Sequence, residues 1–367
     1  MDKRKKVILS GYYGFNNSGD DAILKAIVKD IRSADENIDI TALSKDPEDT
    51  KRTYNVNAID RFNIFNVISA IKDCDMFISG GGSLLQDVTS TRSLFYYLAL
   101  IYLAKLFNKP VMVYANGIGP IKKSINKKLT KRILEKVDLI TLRDTNSKET
   151  IEDLEIKNEN IFITADPVYT LEPSSVERIK EIFTLEDIPM DKPLIGISLR
   201  SWNNKDNIIK TISGAIEYIK SNYDVNIIII PMHYPEDLQI STDILSNAKD
   251  KCYLLRNKYN VEDIMGIIRE LDIIIAMRLH SLIYAATQAV PMVGLVYDPK
   301  VDGFMDSIGI KSKCNVKNLE LINLCTLLDD VWNNKENIKS NLEKYKVDFK
   351  NKAYKNIDLA IKLVYRR

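Results

Sequence analysis

Short apolar, mostly β-branched runs alternate with longer amphipathic stretches along almost the whole chain. Apolar runs without polar alternation are typical of strands buried on both faces of a parallel sheet. Because helical stretches separate them, their order predicts an α/β fold of parallel sheets covered by helices. The predicted strands are 7–9, 76–78, 111–113, 139–140 and 161–163 in the first half, and 194–197, 227–230, 252–255, 271–276 and 292–295 in the second.

The length of the chain predicts more than one domain. A chain of 367 residues exceeds what one hydrophobic core usually supports. A proline-containing boundary, with Asp166-Pro167 and Glu172-Pro173, separates the two sets of strands. We predict two Rossmann-like domains, residues 1–170 and 171–335, that face each other across a cleft. The charged helical segment 336–367 is predicted to pack back across their junction.

The clearest candidate chemistry follows the apolar run 271–276, where the sequence reads Met277-Arg278-Leu279-His280-Ser281. Open parallel sheets bind ligands at the carboxyl ends of their strands. If the chain stays extended here, Arg278 and His280 project from one face. Arginine is a permanent cation for carboxylate or phosphate, and the ordinary pKa of histidine lies near neutral pH, so the pair predicts acid catalysis on an anion. The alternative is an arginine paired with a structural carboxylate and a histidine bonded to backbone.

Three glycine-containing turns follow strands of the first half. The stretch from Gly11 to Asp20 offers neutral amides that suit sugar hydroxyls, and its acidic residues in the first helical turn would repel a phosphate. The Gly80-Gly81-Gly82 turn is predicted to lead into a helix and to let the backbone approach a ligand. Together the turns predict a crevice for a hydroxyl-rich acceptor, and turns without a ligand are the alternative. The acceptor-binding candidates are Asn16, Asn17, Asp20, Gly81, Gly82 and Asn116.

Composition narrows the class of protein. The net charge of +2 gives no basic field, so no nucleic-acid partner is predicted. The four cysteines form no C-x-x-C pair, which predicts reduced thiols and a cytoplasmic protein rather than a zinc site or disulfides. The longest uncharged apolar stretch, 94–104, is too short to span a membrane. It is predicted to be a core helix, although its tyrosines also suit an interface.

Several of these motifs together resemble the polysaccharide pyruvyl transferase family, in particular its bacterial cell-wall (CsaB) type. The resemblance is carried by the stretch from Gly11 to Asp20, the Gly80-Gly81-Gly82 turn, the Arg278-Leu279-His280 triplet and Tyr297-Asp298-Pro299-Lys300. It implies a GT-B-like fold, phosphoenolpyruvate as donor, and a glycan that gains a cyclic pyruvate ketal with release of phosphate. For the cell-wall type it implies a 4,6-ketal on N-acetylmannosamine of a lipid-linked precursor.

The resemblance also implies roles for individual residues. Arg278, Leu279 and His280 match the donor-binding triplet, with the leucine acting through its backbone. Because the ordinary pKa of imidazole lies near neutral pH, we predict that His280 protonates the donor. Arg143 stands where a second donor-binding arginine is expected, and pairing with Asp144 is its alternative. Lys300 occupies a position where some members carry arginine, which exchanges a two-pronged contact for a point charge. Donor binding is thus predicted mainly in the second half of the chain and acceptor binding in the first.

The sequence leaves several other roles and functions open. No metal or cofactor is predicted, because arginines can neutralise the donor. The general base is not assigned among the weak candidates Asp20, Asp87 and Asp206. His233 is expected to be structural or on the acceptor side, and the Trp202 loop to be exposed. Peripheral contact with the inner face of the cell membrane and a homo-oligomer are both compatible with this reading. The rival functions are a nucleotide-sugar glycosyltransferase and a non-catalytic glycan-binding subunit.

Overall fold

The computed structural model describes residues 4–88, 90–248 and 252–366. The chain divides into two compact units, one formed by Met1–Thr170 with Phe349–Arg367 and the other by Leu171–Asp348. Each unit contains a parallel sheet flanked by helices, which is the α/β architecture that the alternating pattern predicts.

The first unit is built on a sheet whose described part has eight strands in the order β3-β2-β1-β4-β6-β7-β8, with β5 pairing to β6. Every pairing in it is parallel. The strands are β1 Lys6–Tyr13, β2 Asp39–Ser44, β3 Asn57–Asp60, β4 Met76–Ser79, β5 Gly82–Leu85, β6 Val111–Ile118, β7 Leu139–Leu142 and β8 Ile161–Ile163. The helices are α1 Ser18–Ala34, α2 Pro47–Tyr54, α3 Ile64–Asp73, α4 Thr91–Leu106, α5 Ser124–Leu134 and α6 Thr145–Asp153.

The second unit has a sheet with the order β11-β10-β9-β12-β13-β14 among the described residues, again with parallel pairings throughout. Its strands are β9 Leu194–Ser198, β10 Asn226–Ile229, β11 Tyr253–Leu254, β12 Ile273–Ala276, β13 Met292–Val296 and β14 Lys313–Asn315. Its helices are α7 Val176–Leu185, α8 Lys205–Asn222, α9 Glu236–Asn247, α10 Val261–Arg269, α11 Leu279–Thr287, α12 Pro299–Ser307, α13 Leu321–Asn333 and α14 Lys335–Val364. The part of α14 from Phe349 onward belongs to the first unit.

All ten predicted strands are present, and the unpredicted ones are short or irregular in pattern. β2 alternates apolar and polar residues in Asp39–Ser44, and β3 and β14 are only a few residues long, so no apolar run marks them. The expectation that the Gly80-Gly81-Gly82 turn leads into a helix is wrong, because Gly82–Leu85 forms strand β5 beside β6. Apolar Leu84 and Leu85 favour this pairing, since both side chains are buried in the core of the first unit.

Candidate functional site

The β12–α11 junction in the second unit holds the Arg278-Leu279-His280 triplet. Arg278 is the N-cap residue of α11, with extended backbone angles, and His280 lies in the first helical turn. The expected extended segment with both side chains on one strand face is therefore wrong. Leu279, Leu282 and Ile283 are all buried and are spaced as on one face of a helix, which favours helix directly after the strand. The side chains of Arg278 and His280 are instead separated by helical geometry at the carboxyl end of β12.

Arg278 is oriented by a buried carboxylate on α9. Its Nε donates to Oδ2 of Asp237 at 2.9 Å, and its Nη2 donates to Oδ1, so the contact is two-pronged. The Asp237 side chain is 1% exposed and that of Arg278 is 14% exposed. The backbone N–H groups of Met232 (3.3 Å) and His233 (3.0 Å) donate to the same carboxylate. The structure thus pairs Arg278 with a carboxylate, as the alternative reading expects, and this pair fixes the direction of the guanidinium.

The start of α11 is a place where an anion can be held. Arginine carries no hydrogen-bond acceptor, and Arg278 makes no side-chain cap in the described structure. The N–H groups of Leu279 and His280 are therefore not capped by the Arg278 side chain, and the start of a helix carries a partial positive charge. Ser281 of the same turn is tied to Ser198 at the end of β9 by a hydroxyl–hydroxyl contact of 2.8 Å, which fixes the helix against the sheet.

A second arginine follows the neighbouring strand. Arg200 comes just after β9, which pairs with β12. Its Nη1 donates to the hydroxyl of Tyr297 at 3.3 Å, and its Cζ lies 5.0 Å from the centre of that ring and 5.3 Å from the ring of Trp202. Lys300 Nζ lies 5.7 Å from the same Tyr297 ring. Arg200, Arg278 and Lys300 thus follow three adjacent strands, β9, β12 and β13, within one unit.

Arg200 is a cation that the sequence does not single out. The sequence feature that could have identified Arg200 is its position just after a predicted strand: Arg200 follows β9, as Arg278 follows β12. In the Trp202 loop, Ser201 and Asn203 are exposed as expected, but Trp202 itself is partly buried and packs edge-on against Tyr297 at 4.8 Å between ring centres. His233 lies beside the same region, since its backbone N–H bonds to Asp237 and its Nε2 lies 3.3 Å from the Glu236 carboxylate.

In the first unit, the glycine turn after β4 is packed from several sides. A side chain at Gly80 would place its Cβ 2.1 Å from the hydroxyl of buried Tyr13, and one at Gly81 would meet Ile23 at 3.0 Å. Asn116 is fully buried, and its amide donates to the carbonyls of Ser79 (3.2 Å) and Gly80 (2.6 Å). The turn therefore has glycines because backbone, helix α1 and Tyr13 approach it closely.

The start of α1 brings polar groups to this turn. Asn17 caps the helix by accepting from the N–H of Gly19 at 3.1 Å, and Asn16 adopts a left-handed conformation with φ 58°. Asp20 lies in the first helical turn, as expected, and a Cβ at Gly82 would be 3.2 Å from its Oδ1. The structure thus brings Asp20 and the glycine turn together at the carboxyl ends of β1 and β4.

Arg143 is held inside the first unit. Its Nη1 donates to Asp166 at 2.9 Å and its Nη2 donates to Ser83 at 2.9 Å, and the side chains of Arg143 and Asp166 are both nearly inaccessible to solvent. Asp144, the partner considered from the sequence, is farther away at 3.5 Å. Arg143 therefore links the segment after β7 to β5 and to the segment after β8.

Of the general-base candidates, Asp87 is the most constrained. Burial raises the pKa of its carboxyl, but the N–H groups of Lys123 (3.0 Å) and Lys122 (2.8 Å) and the amide of Asn126 (2.8 Å) outweigh burial and hold the pKa below its ordinary value. A carboxylate with a lowered pKa is a weak base, so Asp87 anchors the loop before α5. Asp206 is exposed in the first turn of α8.

Neither a metal-binding cluster nor a membrane-spanning helix is found among the described residues. No grouping of three or more His, Cys, Asp or Glu side chains there has the arrangement of a metal site. Among the same residues, no helix combines the length and apolar character of a membrane span.

Comparison with solved structures identifies the fold first. The chain superposes on a glycosyltransferase from Rickettsia africae with a TM-score of 0.66 and 14% identity, covering 100% of both chains. It matches a UDP-GlcNAc 2-epimerase from Neisseria meningitidis, solved with UDP-GlcNAc bound, with a TM-score of 0.68 and 14% identity over 99% of this chain and 100% of the other. The protein therefore has the two-domain, parallel-sheet α/β fold of GT-B-like enzymes.

Sequence comparison then identifies the family. The profile of the polysaccharide pyruvyl transferase family matches residues 17–299, so the chain belongs to that family. The amylovoran biosynthesis protein AmsJ of Erwinia amylovora is 21% identical over 368 aligned positions, which cover 83% of this chain and 86% of AmsJ. The family supports a transferase that moves a pyruvyl group to a polysaccharide, as the motifs predict.

Proposed function

We propose that the protein transfers a pyruvyl group from phosphoenolpyruvate to a glycan as a 4,6-ketal and releases phosphate. The observation that carries the donor assignment is that the cations Arg200, Arg278 and Lys300 follow the adjacent strands β9, β12 and β13. Helix α11, which bears His280, begins directly after β12. Phosphoenolpyruvate has a carboxylate and a phosphate, and such a ligand requires several oriented cations. Family membership supports the transferred group, and the cations support the donor.

In the proposed donor site, each group has a separate task. Arg278, fixed by Asp237, and Arg200, fixed by Tyr297, present guanidinium groups to the two anionic ends of the donor. The backbone N–H of Leu279 at the helix start adds a neutral donor, as helix termini do for anions. Lys300 contributes a point charge rather than a two-pronged contact.

His280 is proposed as the general acid. Its proton is added to the methylene carbon of phosphoenolpyruvate, and the neighbouring carbon becomes electrophilic. One acceptor hydroxyl attacks that carbon, forming a C–O bond and releasing its proton to a base. The second hydroxyl then forms the other C–O bond as the bond to phosphate breaks; phosphate leaves with the electron pair and takes up the proton of this hydroxyl. General acid catalysis of this kind typically contributes about 10²- to 10⁴-fold.

The acceptor is proposed to bind at the first unit, at the start of α1 with Asn16, Asn17 and Asp20 and at the glycine turn with Gly81 and Gly82, which Asp20 approaches. Neutral amides and a carboxylate suit sugar hydroxyls and disfavour a phosphate. By resemblance to the cell-wall type, we propose N-acetylmannosamine of a lipid-linked precursor as the acceptor. Asp20 is the remaining general-base candidate with a place in the site.

Two residues take different roles in this proposal from those first expected. Asn116 supports the Gly80 carbonyl from a fully buried position, so we assign it to positioning the turn rather than to direct acceptor contact. Both terminal nitrogens of Arg143 donate within the first unit, Nη1 to Asp166 and Nη2 to Ser83, whereas Asp237 engages only Nε and Nη2 of Arg278. We therefore assign Arg143 to holding the first unit's segments in place rather than to the donor.

Calorimetric titration tests the donor site without requiring an acceptor. The wild-type protein should bind phosphoenolpyruvate, and Arg200→Met and Arg278→Met should each weaken binding by at least about tenfold, the usual cost of a lost charge-assisted contact. Arg52→Met is the matched control, because Arg52 lies on α2 of the first unit and pairs with Asp49 at the protein surface. Binding of UDP with no response to phosphoenolpyruvate would instead favour a nucleotide-sugar glycosyltransferase.

A further inference from the structure

One outer face of the first unit is unusually apolar. Helices α3, α4 and α5 contact one another in sequence and bury their inner sides in one hydrophobic cluster. On α4, the exposed residues Phe95, Ala99, Tyr102 and Leu106 follow helical spacing and form an outward stripe. A helix that is apolar on both sides is normally covered by something other than water.

Apolar side chains also project beside the amino-terminal end of α4. Phe62, Ile64 and Phe65, before and within the first turn of α3, are 64%, 67% and 86% exposed. Arg61 lies 5.7 Å from the ring of Phe62 and 4.6 Å from the ring of Tyr96 on α4, so the starts of α3 and α4 are adjacent. This apolar face therefore continues from α4 onto α3.

The α4–α5 part of this face carries a strong positive charge bias. Residues 88–134 contain nine lysines and arginines and no aspartate or glutamate, whereas the whole chain has 52 basic and 50 acidic residues. Lys105 and Lys131 pair with Asp138 and Glu155, respectively. The exposed cations are Arg92, Lys122, Lys123, Lys127, Lys128 and Arg132.

The basic residues lie next to the apolar ones. Lys123 Nζ donates to the hydroxyl of Thr91 at 2.9 Å, which places the start of α5 beside the start of α4. On α5 the exposed residues Ile125, Lys128 and Arg132 share one outward side, and Ile125 is 68% exposed. Exposed rings and aliphatic chains interleaved with lysines are the combination that binds the surface of an anionic bilayer.

We propose that the face formed by α3, α4 and α5 docks the protein onto an anionic lipid bilayer. A soluble polyanion would account for the cations but not for exposed Phe62 and Phe65. The starts of these helices lie at the carboxyl edge of the first sheet, where the proposed acceptor turn is. Docking would bring a lipid-linked acceptor to that edge of the sheet. This role for docking rests on the proposed function.

Vesicle co-sedimentation of the full chain tests this proposal and needs no turnover. Vesicles of phosphatidylcholine with about 30 mol% phosphatidylglycerol should bind the wild-type protein at low salt, and pure phosphatidylcholine vesicles should bind it at least about tenfold less. Lys127→Glu/Lys128→Glu and Phe62→Ser/Phe65→Ser should each lower the partition coefficient at least about tenfold. Circular dichroism and a thermal melt of each variant establish that it is folded.

Matched controls separate a docking face from general effects of charge or apolarity. Lys339→Glu/Lys344→Glu changes the net charge equally on exposed positions of α14, and Leu185→Ser/Ile322→Ser removes exposed apolar side chains from the second unit. Both controls should bind within about twofold of wild type. Absence of wild-type binding to anionic vesicles, an equal loss in the controls, or self-association through Phe62 and Phe65 without vesicle binding would overturn the proposal. Vesicle binding by a protein that does not use phosphoenolpyruvate would leave the docking face valid and reject the proposed function.

Discussion

The Arg278–Asp237 pair provides a test of how the candidate donor site is held. Replacing Asp237 with asparagine leaves a largely buried guanidinium without its counter-charge and turns an amide N–H₂ toward one of its nitrogens. Breaking a buried ion pair in this way typically costs about 3–5 kcal/mol. We expect the lower end, about 3 kcal/mol, because asparagine retains an oxygen for the N–H groups of Met232 and His233 and because Arg278 is 14% exposed to water.

Tryptophan fluorescence gives a specific readout of this loss. The chain has two tryptophans, Trp202 and Trp332, and both belong to the second unit. Urea unfolding followed at these residues therefore reports the unit that contains Asp237. Asp206→Asn is the matched control. Both aspartates lie in the first turn of a helix of the second unit, but Asp206 on α8 is exposed whereas Asp237 on α9 is buried.

A double-mutant cycle completes the test. Asp237→Asn combined with Arg278→Met removes the orphaned charge, so the double variant should be more stable than the sum of the two single losses predicts, by at least about 1 kcal/mol. Asp237→Asn should also weaken phosphoenolpyruvate binding, since Arg278 loses its fixed direction. If the free energy of unfolding of Asp237→Asn is within about 0.5 kcal/mol of the wild-type value, the pair does not hold the site and the reasoning fails.

Three further outcomes are expected. Gly80→Ala should destabilise the first unit by about 1–3 kcal/mol through its clash with Tyr13, and Tyr13→Phe should recover part of the loss in circular-dichroism unfolding; equal loss in both backgrounds would refute the clash. Burial raises the pKa of Asp30 to about 6 despite a hydrogen bond from Thr170, so the folded protein keeps a proton that the unfolded chain loses near pH 4. The free energy of unfolding of the wild type should therefore fall by about 3 kcal/mol as pH rises from about 4 through 6. Asp30→Asn should remove that fall, and an unchanged pH profile in this variant would contradict the prediction. Arg278→Lys should raise the KM for phosphoenolpyruvate much more than it lowers kcat, because lysine lacks a two-pronged contact; unchanged donor saturation would remove Arg278 from donor binding.

The sequence predicts the fold well because most strands and helix starts are marked by patterns of neighbouring residues. β12 and β6 are visible as apolar runs, and the acidic first turn of α1 is visible beside its Asn17 cap. β2 is hidden because Asp39, Thr41 and Ser44 interrupt its apolar residues, so it lacks the continuous apolar run that marks β12 and β6. The strand β5 is hidden because glycines suggest a turn before they suggest a strand.

The site is only partly predictable, because its geometry depends on contacts that are distant in sequence. The Arg278-Leu279-His280 triplet is found from its place after an apolar run. Its partner Asp237 is 41 positions away, and Arg200 meets Tyr297 across 97 positions, so neither contact leaves a local pattern. Arg278 and His280 share a face only if the strand continues past β12. Burial of Leu279 and Ile283 favours a helix at this point instead.

The most direct test of the central claim is phosphate release from phosphoenolpyruvate with and without a lipid-linked N-acetylmannosamine acceptor, with the product checked by mass spectrometry for the ketal. The wild-type protein should release phosphate only with acceptor, and the acceptor should gain one pyruvyl group per phosphate. Folded His280→Ala should be slower by about 10² or more. Acceptor-independent phosphate release, phosphate release without pyruvylated product, or near-normal turnover by His280→Ala would contradict the account.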